Sequence, residues 1–111
     1  MAMSKDLKVL AVTGTGTTQA AGALLNGDIN ICTATGTEAF TIPANLPTGT
    51  VFFAVGGAGA GVVFPPLGGA INGGTANASK PLDASVVHMY IVTASGTSST
   101  YRCNKLAALS A

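Results

Sequence analysis

Short apolar runs alternate with small polar punctuation along this chain, and no window holds a 3.6-residue period. Runs rich in Val, Ile, Thr, Phe and Tyr fall at residues 7–12, 18–24, 28–34, 38–42, 50–55, 61–64, 78–81, 86–93 and 100–106. Each has the length of a strand, and β-branched and aromatic side chains suit a pleated, half-buried surface. Fifteen glycines and five prolines break the chain between them. This spacing predicts an all-β fold: a compact sandwich, jelly-roll-like, or a small barrel of about eight to nine short antiparallel strands. Residues 1–13 read as an N-terminal arm or edge strand, and residues 14–111 as a single β domain.

Turn chemistry sharpens the pattern. Asn26-Gly27 is the strongest hairpin signal, because both central positions of a type I′ turn need positive φ. Thr48-Gly49, Gly56-Gly57, Gly68-Gly69, Gly73-Gly74 and Ser95-Gly96 mark further turns. The closing KLAALSA is long enough for one helical turn but too short to be a stable helix by itself.

Alternation assigns faces. Ile29, Ile31 and Thr33 share one side of their run, and Asn30, Cys32 and Ala34 the other. Phe52 and Phe53 are adjacent and so must point oppositely. The run at 86–93 is apolar on both sides, with Val87, Met89 and Ile91 against Val86, His88, Tyr90 and Val92. A strand of that kind is either central or covered on its outer face by a neighbour.

Composition explains where such a neighbour comes from. Charged residues make up 8% of 111, with 48% hydrophobic residues and a mean hydropathy of +0.51. Ordinary soluble domains devote about 25% to charge. Charge keeps monomers apart, so its scarcity favours packing against neighbours. The net charge is +1, and Lys5, Lys8, Lys80, Arg102 and Lys105 form no run. That balance argues against a footprint for nucleic acid or anionic lipid. No window approaches the roughly 20 apolar residues of a membrane helix. The N-terminus has no secretory-type apolar stretch, so the chain is expected to stay in the cytoplasm that makes it, soluble or assembled.

Candidate chemistry is sparse. VGGAGAG at residues 55–61 invites a dinucleotide-binding reading, but Val62 stands where a third glycine is needed, and Pro65-Pro66 forbids the following helix. It reads as a glycine-rich link between strands. His88 is the single histidine, and its nearest acidic neighbour in sequence is Asp83. It is expected to be structural or interfacial, with a pH-sensitive contact, catalysis or a metal as weaker readings. Asp6, Asp28, Glu38 and Asp83 are too dispersed for an acid/base pair, and Asp28 is expected to cap or solvate the turn before it. Cys32 and Cys103 read as small buried strand residues, a bridge between them staying open on spacing alone. Phe40, Phe52, Phe53 and Phe64 read as core, one of the adjacent pair being free to meet a neighbour. No cofactor, no metal and no enzymatic activity are expected.

One set of motifs carries a resemblance. GTGTTQAAGALLNGDINICTATG is followed by EAFTIPANLPTGTVFFAV, then VVFPPLGGAINGG, then MYIVTASGTSSTYRC. Together they resemble a family of small tailed-bacteriophage virion proteins, some of them taken to be capsid decoration (cement) proteins. The similarity spans residues 14–103, and its most specific parts are GTTQ at 16–19 and PPLGGAIN at 65–72. The family usually has an aromatic, often Trp, near the end of the final hairpin, where this chain has Tyr101. The resemblance implies a compact β protein on the outer head surface, a homo-oligomer expected to be a trimer, with the major capsid protein as partner. It further implies synthesis in the host bacterial cytoplasm and location in the virion. Interface candidates are Leu7, Val9 and Leu10 of the arm, with Phe53, Pro65, Pro66, His88 and Tyr90. Two other classes are a tail- or fibre-associated β module and a β-sandwich that binds glycans or a host surface. The last predicts aromatic or acidic loops, of which the chain has few.

Overall fold

The computed structural model describes residues 7–72, 74–94, 102–105 and 109–110. Among the described residues eleven strands appear: β1 (Val9–Thr13), β2 (Ala23–Leu24), β3 (Ile29–Thr33), β4 (Ala39–Thr41), β5 (Val51–Val55), β6 (Gly61–Phe64), β7 (Ala70–Ile71), β8 (Lys80–Leu82), β9 (Val86–Ala94), β10 (Arg102–Lys105) and β11 (Leu109–Ser110). No helix occurs among the described residues. One sheet runs β1-β3-β5-β9-β10-β7, with β11 also on β9, and the second runs β2-β4-β6-β8.

Both sheets are mixed, which corrects the expected antiparallel sandwich, jelly roll or barrel. β1, β3 and β5 pair parallel, as do β2, β4 and β6. β7 is parallel to β10. Antiparallel pairing enters with β8 on β6 and with β9 on β5, β10 and β11. The first sheet ends at β1 and β7, so no barrel closes. The cause is a change of sheet at every step from β1 to β6. Three successive coils bring the chain back to each sheet in the same direction, and the strand in the other sheet lies within the crossover of a dozen or more residues that parallel pairing needs.

Asn26-Gly27 shows the difference locally. It makes no hairpin, because β2 and β3 lie in different sheets, and neither residue takes a positive φ. The pair is a corner instead, held by Asn30: its Oδ1 accepts the Gly27 amide at 2.9 Å and its Nδ2 donates to the Gly27 carbonyl at 3.0 Å. The Asp28 carboxylate accepts the Lys8 amide at 2.8 Å and ties the entry of β1 to this corner. The expected run at 18–24 shrinks to Ala23–Leu24, the tail pairs as β11 rather than turning as a helix, and Ser95-Gly96 lies outside the described residues.

The core lies between the sheets. From the first come Val12, Cys32, Phe52, Ala54, Tyr90 and Val92, and from the second Phe40, Val63 and Leu82, with Leu25 and Ile42 beside them. Phe52 and Tyr90 are cross-strand partners, stacked with ring centroids 5.1 Å apart. Cys32 is a buried free thiol. Strands β5 and β9 stand between its strand and that of Cys103. Three strand spacings of about 4.8 Å put their Cα atoms well beyond the roughly 7 Å a disulfide can span, so the open bridge is excluded.

Candidate interaction surface

The outer face of the first sheet collects what alternation leaves over. Register aligns Val9, Ile29, Phe53 and Met89 in one row across β1, β3, β5 and β9. Ala11, Ile31, Val55 and Val87 form a second row, Val51 and Ile91 a third, and Thr13 and Thr33 close one end. Val9 is 57% exposed and Ile31 and Val51 are each 42% exposed, while Phe53, Val55, Val87, Met89 and Ile91 are half-buried. None of these positions carries a charge. A contiguous apolar face of this kind is a candidate interaction surface. Covering a half-exposed Val or Ile contributes on the order of 1 kcal/mol.

The sequence-derived interface residues divide sharply. Leu7 and Val9 are exposed, Leu10 is half-buried against the core, and Phe53 lies on the outer face. Pro65, Pro66, His88 and Tyr90 are buried inside the chain and offer nothing to a neighbour. This is a correction, and its cause is the two-sided apolar character of β9: the even positions face inward and the odd ones outward. Of the arm or edge strand expected at the N-terminus, residues 9–13 form the edge strand, β1, with Val12 in the core. Sequence reading missed Ile29, Ile31, Val51 and Val55 as surface. Their signal was a second apolar face repeated on strands that turn out to share one register.

VGGAGAG is a stacking device rather than a phosphate loop. A Cβ on Gly57 would stand 2.8 Å from the Cys32 carbonyl oxygen, and one on Gly59 would stand 2.9 Å from the Ala34 carbonyl carbon. The third coil lies so close on the second that backbone meets backbone, and glycine alone fits.

Ionisable groups are scattered. His88 is buried, and its Nε2 accepts the Asp83 amide at 3.1 Å. Glu38 accepts the Thr35 and Gly36 amides at 3.0 and 2.8 Å as well as the Thr35 hydroxyl, and these bonds hold its carboxyl below the usual value. Burial pushes the Cys32 thiol up to about 12. Among the described residues no three His, Cys, Asp or Glu side chains gather as a metal site, and no helix is long and apolar enough to cross a membrane. A pocket of about 120 Å³ opens between Leu25, Leu46, Phe52 and the rim residues Asn26, Asp28 and Thr50. That is well below the roughly 300–1,000 Å³ of small-molecule sites.

No known protein family, curated protein or solved structure matches the chain. The geometry therefore speaks alone. It offers an uncharged, apolar sheet face, suited to contact with another protein surface.

Proposed function

We propose that this chain is a structural protein of a tailed-bacteriophage virion, a capsid decoration protein that binds the outer head surface as a homo-oligomer and stabilises the shell. The supporting observation is the charge-free outer face spanning β1, β3, β5 and β9, in a chain whose motifs resemble such proteins. Decoration needs no reaction. Apolar side chains covered at each contact, and repeated over a lattice, add up to resistance against internal pressure.

The test uses purified particles and shells. Mass spectrometry should find the chain in purified virions, and the recombinant protein should co-sediment with heads that lack it. Ile31→Lys and Val55→Lys, both on outward positions, should weaken that binding without unfolding the chain. Absence from purified virions would sink the proposal. Density on the tail in electron micrographs would replace it with the tail-module reading.

A further inference from the structure

The end of the first sheet carries a second message. β1 is its edge strand, and natural edges are blunted by shortness, proline, charge or a bulge. The other edges follow that rule. β2, β7 and β11 have two residues each, and β8 holds Lys80 and Pro81. β1 is five residues, Val-Leu-Ala-Val-Thr, with none of these protections.

Its backbone groups that meet no other strand among the described residues can be identified. The Lys8 carbonyl accepts the Ile29 amide at 3.1 Å, and the Gly14 amide donates to the Thr33 carbonyl at 2.8 Å. Backbone groups alternate sides along a strand, so Leu10 and Val12 also turn toward β3. Val9, Ala11 and Thr13 therefore aim their amides and carbonyls out of the sheet edge.

We infer that β1 is a dimerisation edge, pairing antiparallel with β1 of a second copy about a two-fold axis at Ala11. The register with Ala11 opposite Ala11 satisfies every requirement at once. It sets Val9 opposite Thr13 in both directions, so all the outward-aimed groups exchange bonds, six in total by the antiparallel rule. It sets Leu10 opposite Val12, both on the core side. Leu10, only half-buried in one copy, then gains an apolar partner at the open end of the core. A shift by one residue would turn apolar side chains to the wrong face. Lys8 falls opposite Gly14, so no like charges meet. The smallest side chain of the strand sits on the axis. The two copies form one continuous sheet, with both second sheets on the same side. The joint is isologous and closes on itself, so it gives dimers and not the trimer that the family resemblance implies.

Sedimentation velocity and native mass spectrometry of the isolated chain, over about 1–100 µM, test this independently of any virion role. The wild type should show a monomer–dimer equilibrium. Ala11→Pro removes an amide that no strand among the described residues uses, and it should weaken the dimer roughly 30-fold or more while circular dichroism stays unchanged. A second pair reads the register. V9K/T13K places lysines opposite each other and should give monomers, whereas V9K/T13E places Lys opposite Glu and should dimerise. A monomeric wild type overturns the inference, whether the edge is bare or covered by the chain's own residues 1–6. So does a trimer, an Ala11→Pro variant that associates like wild type, or identical behaviour of the two double variants.

Discussion

Replacing Gly59 by alanine adds one methyl group and should cost this fold about as much as many core truncations. The new Cβ would lie 2.9 Å from the Ala34 carbonyl carbon and 3.1 Å from the Thr35 Cα, and closer still to the Ala34 oxygen. All three are backbone atoms, so no rotamer change relieves the overlap. The third coil has to lift off the second by about 1 Å, loosening the contact of residues 56–61 with the turn after β3. Overpacking a close-fitted interior costs about 1–3 kcal/mol, and a backbone collision belongs at the upper end, near 3 kcal/mol. That is a large share of the roughly 5–15 kcal/mol that holds a domain folded, and corresponds to about 10–15 °C in Tm. Gly36→Ala is the internal control. Nothing lies within 4 Å of the place its new methyl group would take and its φ is not positive, so it should fall within about 0.5 kcal/mol of wild type, on the stabilising side. Urea unfolding followed by far-ultraviolet circular dichroism measures both, at one protein concentration because association shifts apparent stability. The stacking argument fails if Gly59→Ala unfolds within about 0.5 kcal/mol of wild type, or if Gly36→Ala is equally damaging.

Three further outcomes follow from buried and bonded groups. Asn30 is fully buried and also donates to the Phe53 carbonyl at 2.9 Å, so Asn30→Ala should lose about 3 kcal/mol in urea unfolding. Asn30→Asp should be no better, since it sets a carboxylate against two carbonyls. Cys32 should resist iodoacetamide at about pH 8 in the native protein and react only in denaturant. Because its folded value is raised to about 12 from 9.0, its contribution to stability is complete below pH 9 and is lost as pH rises toward 12. Glu38 shifts the other way: its folded value lies below 4.5, so its bonds to the 35–36 turn stabilise above that pH and are lost as pH falls through the folded value. Wild type should therefore show a small acid-side loss of stability that Glu38→Gln lacks.

Alternation by itself determined that the chain is built of short strands and assigned the two faces of β3, β5 and β9, but it did not reveal β7 or β11. The opposition of Phe52 and Phe53 was readable, as were the inward set Asn30 and Cys32 and the structural nature of VGGAGAG. A local pattern decides these, because successive side chains must leave a strand on opposite sides. It also made β9 apolar on both sides, but it held no clue that His88 and Tyr90 were the buried half. Strand direction and pairing were decided only in three dimensions. Asn26-Gly27 looks the same whether it closes a hairpin or turns a corner between sheets, and only the partner of β2 settles which. One signal of parallel coils was present in the chain. VTGTGT at 12–17 returns as CTATGT at 32–37, twenty residues later, and β1 pairs with β3 at that offset. The third coil hides the repeat as GGAGAG at 56–61, because its close approach to the second coil leaves no room for the side chains that would have revealed it.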